Sequence, residues 1–275
     1  MSNIRVLFLG DIIGVTGRTF FQKHIGRIKK EFDIDAIIVN GENSAGGRGI
    51  TSKIARFFKH NGVNVITTGN HIWRQREIYS YLAEHKDLLR PANYPSFCPG
   101  TGVTTFECKG QVIGVINIQG RIFMRDHVDC PFKTAETLVT YLKSKTNIIF
   151  IDFHAEATSE KMGLAYHLDG KISGLVGTHT HVQTADERIL PLGTAYISDL
   201  GMCGSLNSMI GMQKEQIISN LITQMPVKFV VAKEPPYVMT GAYIDVDSVT
   251  GKAVDITRVK IVDDEPLRGI IDSEK

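Results

Sequence analysis

Apolar positions early in the chain fall into short unbroken runs separated by helical stripes. Val6-Leu7-Phe8-Leu9, inside Arg5 to Gly10, reads as a buried strand, and Ala36-Ile37-Ile38-Val39 reads as another. Val63 to Thr68 makes a third. Between the first two, Phe21, Ile25, Ile28 and Phe32 recur at spacings of four, three and four, which predicts one buried helix face. Between the second and third, Thr51 is placed to cap a helix carrying Ile54, Phe57 and Phe58, and Gly62 to end it. Strand, helix, strand, helix, strand is the order of an α/β core.

The pattern changes further along. Val103 to Phe106 and Val112 to Ile118 predict two strands turning at Lys109-Gly110. A helix over Thr134 to Lys145 leads to a strand over Ile148 to Phe153, and 156–168 predicts another helix. Leu175-Val176 is the centre of a further strand, Ala195 to Ser198 a short one, and Gln216 to Met225 a helix. Tyr237 to Val262 alternates apolar and polar residues around Asp247-Ser248-Val249-Thr250-Gly251, the pattern of a hairpin. The chain is α/β first and increasingly β afterwards, so a purely doubly wound parallel sheet does not fit.

Composition narrows this picture. At 275 residues and 43% hydrophobic, with no linker, repeat or low-complexity run, the chain is expected to form a single domain over 1–275. A net charge of +2 with scattered basic residues offers no stripe for a stable nucleic-acid partner and no polybasic membrane anchor. No apolar run is long enough for a membrane span, and the N-terminal stretch is too short for a signal peptide. Cys98, Cys108, Cys130 and Cys203 form no Cys-x-x-Cys pair, which points to a reduced, cytoplasmic protein.

The candidate chemistry follows the strands. Asp11 ends the first, Glu42 and Asn43 the second, and Asn70 and His71 the third. His154 ends the strand Ile148 to Phe153, and His179-Thr180-His181 follows Leu175-Val176-Gly177. Strand ends in an α/β sheet converge on one rim, so five segments deliver carboxylate, amide and imidazole groups to one edge. Taken singly, each has an ordinary explanation. Asp11 could cap a turn, Asn70 could adopt a left-handed backbone, and His154 could be a satisfied core histidine. The pair His179 and His181, spaced i, i+2 after a strand, is expected to point two imidazoles the same way. His24, His60, His85, His127 and His167 read as solvated. Together the seven polar residues make a set of hard oxygen donors and imidazoles suited to transition metals. A competing reading takes Gly10-Asp-Ile-Ile-Gly14-Val-Thr-Gly17 and Glu42 as a dinucleotide-binding turn with its ribose-binding acid. The spacing is not Gly-x-Gly-x-x-Gly, and that reading leaves the later Asn and His residues without a role.

Gly10-Asp11, Gly69-Asn70-His71, His154 and Gly177-Thr-His179-Thr-His181 resemble the motif series of the calcineurin-like metallophosphoesterases. Gly41-Glu42-Asn43-Ser-Ala-Gly-Gly, Asn117-Ile-Gln-Gly-Arg121 and Tyr196-Ile-Ser-Asp199-Leu-Gly-Met are similar to the YmdB-like branch. The resemblance implies a sandwich of two mixed β-sheets flanked by helices, an α/β/β/α arrangement. It implies two divalent or mixed-valence transition metal ions (Fe, Mn or Zn). Asp11, Asn43 and His181 would hold one, Asn70, His154 and His179 the other, and Glu42 would bridge. It further implies a phosphodiesterase acting on small cyclic nucleotides, with 2′,3′-cyclic AMP the expected substrate. Water activated between the cations would attack phosphorus, and His71 would serve as general acid.

Two departures matter. Ile13 stands where most of the superfamily has a histidine, so Asn43 must fill that place. Ile72 replaces the acid that usually follows Gly-Asn-His, which leaves the group that orients His71 unnamed. The segment Gly201 to Gly211 reads as a mobile loop bordering the site, and Arg121 and Arg48 as phosphate or base contacts. A metal-binding regulatory protein with little catalysis is the alternative reading, and a homo-oligomer is left open.

Overall fold

A computed structural model describes residues 3–267 of the chain. The first strand, β1 (Asn3–Leu9), shows why the apolar runs are unbroken. Its alternate side chains face opposite ways, with Ile4, Val6 and Phe8 in one hydrophobic cluster and Leu7 and Leu9 in another. A strand covered on both faces has no polar side to show. Next come the two-residue β2 (Asp11–Ile12), α1 (Gly14–Glu31), β3 (Ala36–Asn40), α2 (Ser52–His60) and β4 (Val65–Thr67). The Thr51 hydroxyl accepts the Ile54 N–H at 3.3 Å, as its place before α2 predicts, and Gly62 stops the chain with φ +84°. A single 3₁₀ turn (Ile72–Arg74) and α3 (Ile78–Glu84) complete this half.

The second half holds β5 (Val103–Cys108), β6 (Gln111–Gln119), α4 (Pro131–Lys143), β7 (Ile148–His154), α5 (Thr158–His167) and β8 (Gly174–Thr178). These are followed by β9 (Arg188–Ile189), β10 (Ala195–Ile197), β11 (Met202–Ser205), α6 (Lys214–Thr223), β12 (Tyr237–Asp247) and β13 (Ala253–Asp263). The expected closing hairpin is the antiparallel pair β12 and β13.

Two mixed sheets result. One runs β2-β11-β12-β1-β3-β4, with β13 also on β12, and the other β5-β6-β7-β8-β10-β9. They pack face to face over Ile4, Val6, Phe8, Ile38, Val115, Phe150, Val176 and Ile244, with the Phe8 and Phe150 rings 5.1 Å apart. The outer face of the first sheet carries α1, α2 and α3 through Phe20, Phe21, Ile28, Phe58 and Leu82. The outer face of the second carries α4 and α5 through Val139, Leu142 and Leu164. This is the expected α/β sandwich flanked by helices. Burying an aromatic such as Phe8 or Phe150 contributes about 2–3 kcal/mol, so the intersheet layer holds the two rims in fixed register.

Three expectations change. Met202 to Ser205 is not loop: β11 is buried and pairs with β2 and β12, and only 206–211 remain a turn. α1 lies close against it: a Cβ on Gly17 of that helix would collide with the Cys203 carbonyl, and Gly204 faces Ile13. His24 is not solvated. It is buried on the same face as Phe20, whose ring centre is 4.5 Å away, and its Nε2 lies 3.2 Å from Asp263. His85 is also partly covered, stacked on Tyr81 at 3.8 Å, whereas His60, His127 and His167 are exposed.

Candidate metal centre

The parallel strands β1, β3 and β4 of one sheet and β6, β7 and β8 of the other end on the same rim. Asp11, Glu42, Asn43 and His154 are all buried there. The structure brings all seven expected residues into one cluster and divides them into two groups. Asn43 Nδ2 lies 3.2 Å from Asp11 Oδ1 and 3.0 Å from His181 Nε2. His154 Nε2 lies 3.1 Å from Asn70 Oδ1 and 3.0 Å from His179 Nδ1. Glu42 Oε1 touches both groups, 3.2 Å from Asn43 Nδ2 and 3.2 Å from His154 Nε2.

Local backbone explains the approach. A Cβ on Gly69 would collide with both Glu42 Oε2 and His154 Nε2, so only glycine lets β4's end pass the cluster. His179 and His181 do not continue β8 as a strand. Both have positive φ (107° and 64°), a conformation that non-glycine residues rarely adopt and that recurs at functional sites. The turn sends the two rings to different groups, one to His154 and one to Asp11. It is held by the His179 N–H on Asp11 Oδ2 (3.1 Å) and the Thr180 N–H on Asp199 Oδ2 (3.0 Å). Asp199 is buried against Lys161 at 2.8 Å. That gives the Tyr196-Ile-Ser-Asp199 motif a bracing role.

Each imidazole offers one nitrogen to the cluster and has the other engaged. His154 Nδ1 meets Thr178 Oγ1 (3.0 Å), His179 Nε2 meets Glu156 (3.1 Å), and His181 Nδ1 donates to the Ile210 carbonyl (2.9 Å). Metal-ligating histidines are oriented this way. The cluster itself is short of protons. Around His154 Nε2 stand a carboxylate oxygen, an amide oxygen and His179 Nδ1, all within 3.2 Å, and one N–H can satisfy only one of them. A cation would satisfy them together, and the donor atoms of Glu42, His154 and His179 lie within 4.8 Å of one another. The donor set therefore fits a transition metal.

Charge distribution separates the groups. Burial pushes the Asp11 carboxyl up, but His181 beside it outweighs this and holds it below the ordinary range. Glu42 likewise lies well below it, because His154 and His71 overcome its burial. Burial disfavours the His181 cation, yet Asp11 raises its pKa to about 9. His154 is also raised, Glu42 outweighing burial. His179 is lowered to about 3, first by burial and then by His154.

His71 lies at the cluster's open side. Its Nδ1 is 2.7 Å from Asn43 Oδ1 and 3.3 Å from Glu42 Oε1, and its backbone N–H donates to Glu42 Oε2 at 3.1 Å. Asn43 and Glu42 thus take the place of the missing acid at Ile72. Neither arginine joins them: Arg48 is exposed and stacks on Phe229, and Arg121 is exposed while its backbone N–H donates to Glu160. Asn117 of the same motif braces the end of β4, its Oδ1 accepting the Thr68 N–H at 2.9 Å.

With that geometry in place, similarity decides the family. The family model of YmdB-like proteins matches residues 7–259. The chain is a YmdB-like protein. It is 46% identical over 261 residues to a protein of Bacillus subtilis (strain 168) named 2′,3′-cyclic-nucleotide 2′-phosphodiesterase, covering 95% of this chain and 98% of that one. The crystal structure of a novel phosphatase from Mycoplasma pneumoniae superposes with a TM-score of 0.90 at 36% identity, covering 97% of this chain and 96% of that one. That of a hypothetical protein from Thermus thermophilus gives 0.87 at 36% identity, covering 94% and 99%. Among the described residues of this YmdB-like chain, no helix is long and apolar enough to cross a membrane.

Proposed function

We propose that this YmdB-like protein is a dinuclear metal-dependent phosphodiesterase that opens 2′,3′-cyclic nucleotides. The observation that carries the reading is Glu42, whose Oε1 touches both groups of ligands at once. Asp11, Asn43 and His181 would hold one cation, and Asn70, His154 and His179 the other, with Glu42 between them. For Asn43 this requires its amide oxygen to face Asp11 and His181, an exchange of amide ends that leaves the backbone in place. Two divalent cations supply charge neutralisation at the phosphoryl oxygens and a water of lowered pKa.

The remaining work falls to side chains. His71 is partly exposed at the edge of a cluster whose Asp11, Glu42, Asn43 and His154 are buried, where the scissile ester would meet it. The proton it gives goes to the ester oxygen that leaves as the new P–O bond to water forms. Breaking the 2′ bond, as the name of the Bacillus subtilis relative states, would leave a 3′-monoester. The strained five-membered ring makes this step accessible without elaborate base recognition. Four unpaired cysteines support a cytoplasmic enzyme. The whole chain is taken as one metallophosphoesterase domain.

The test is a substrate comparison at equal manganese loading. Hydrolysis of 2′,3′-cyclic AMP is expected to exceed that of 3′,5′-cyclic AMP, with little turnover of p-nitrophenyl phosphate. A preference for the monoester would overturn the diester assignment, and no turnover of any ester would favour a regulatory metal protein.

A further inference from the structure

Below the cluster lies a buried carboxylate that the proposed chemistry does not use. Asp152 sits in β7, two residues before His154, inside an otherwise apolar strand. Its oxygens collect donors from both sheets. Oδ1 accepts the Thr178 hydroxyl of β8 at 2.7 Å, and Oδ2 accepts the Asn40 amide of β3 at 3.1 Å and the Thr67 hydroxyl of β4. A side chain this deeply placed in an intersheet layer costs stability unless every donor around it is ordered.

The proton order that follows is specific. A hydroxyl has one proton, and Thr178 gives its proton to Asp152. Its oxygen must then accept from His154 Nδ1, 3.0 Å away, so Nδ1 carries hydrogen and Nε2, facing Asn70, Glu42 and His179, is the nitrogen left to give up its proton to a cation. Asn40 extends the same order to the bridging carboxylate. Its Nδ2 is fixed on Asp152 and its Oδ1 accepts the Glu42 backbone N–H at 3.1 Å. Without the carboxylate, the Thr178 hydroxyl is free to turn and donate to His154. The imidazole would then carry its hydrogen on Nε2, the atom that must bind the cation.

We propose that Asp152 is a positioning residue that, through Thr178 and Asn40, sets the tautomer of His154 and the placement of Glu42 for metal binding. The inference rests on the metal centre proposed above and deepens it. Its test is Zn²⁺ titration against a chelating dye on full-length protein, with folding followed by thermal melting. Outer partners of ligating histidines are worth roughly 10–100-fold in metal affinity, so Asp152→Asn and Thr178→Val are expected to weaken one of two Zn²⁺ sites on that scale while Thr178→Ser, which keeps the hydroxyl, stays within about threefold. Folded variants that bind Zn²⁺ like wild type would overturn the proposal. Should the variants fail to fold, long-range ¹H–¹⁵N spectra of zinc-loaded wild-type protein decide it. Hydrogen on His154 Nδ1 with zinc at Nε2 is the expected result, and the reverse assignment overturns it. Wild-type protein that binds no Zn²⁺ at all would instead bring down the metal centre itself, and this inference with it.

Discussion

His179 and His181 are two residues apart on one turn, yet they face opposite environments. His181 meets the Asp11 carboxylate and is raised to about 9, whereas His179 meets another imidazole, His154, and is lowered to about 3. Both are largely covered, so burial alone would lower both. The difference comes from the first charged neighbour across the cluster. It shows that each side of the cluster holds its proton on one ring, His181 beside Asp11 and His154 beside Glu42, while His179 is left neutral. A cation on either side would have to displace that proton, and His179 would offer its nitrogen without one.

His71 touches Asn43 and Glu42 and so belongs to the Asp11 side of this divide. It is not among the groups assigned to a cation. His71→Ala is therefore expected to keep the metal content and lose roughly 10²–10⁴-fold in turnover of 2′,3′-cyclic AMP, the usual scale for a general acid. A diester with a p-nitrophenol leaving group should suffer much less, because it needs the proton less. Equal losses on both substrates would make His71 a ligand or an orienting group and blur the two halves.

Much of this is legible in the sequence, and the reason is geometric. A strand that ends in Gly-Asp, Gly-Glu-Asn or Gly-Asn-His announces itself because the apolar run stops there, and an α/β sheet gathers such ends. The bracing layer is not legible. Asp152 stands as a lone charge inside the apolar run Ile148 to His154, and Lys161 stands beside Glu160 in the polar first turn of α5, where it reads as a solvated charge; neither carries a sign of its partner. Their roles depend on contacts with Thr178 and Asp199, set by the packing of separate strands and helices. His24 escapes because Phe21 and Ile25 define an apolar stripe of their own, and the Phe20–His24–Ile28 row beside it is interrupted by the imidazole. β11 escapes because its four residues include Gly and Ser, which suit a loop as well as a short buried strand. The His179–His181 spacing does not carry the geometry expected of it, since a positive-φ turn and not a strand repeat aims the two rings, and it aims them at different groups.

The smallest expected effect is on pH dependence of the metal-free protein. A histidine raised on folding contributes stability that is full below its ordinary value of 6.5 and is lost as pH rises through about 9, which is the case for His181. A histidine lowered on folding contributes stability that is full above 6.5 and is lost as pH falls toward about 3, which is the case for His179. Melting temperature without metal should therefore peak near neutral pH and decline on both sides. The His181 share of the alkaline decline is worth at most about 3.5 kcal/mol, since each tenfold change in proton affinity corresponds to about 1.4 kcal/mol. His181→Ala should shrink that alkaline limb to the part that His154, also raised, contributes, while His179→Ala leaves it whole. An alkaline limb undiminished in His181→Ala would contradict the opposite assignments of the two rings.

The central claim is that Glu42 joins two metal positions. The most direct measurement is elemental analysis of the protein after reconstitution with manganese and removal of unbound ion, made on wild type and on His181→Ala and His154→Ala. Two ions per chain are expected in wild type and one in each variant. One ion or none in wild type, or two ions retained in both variants, would contradict it.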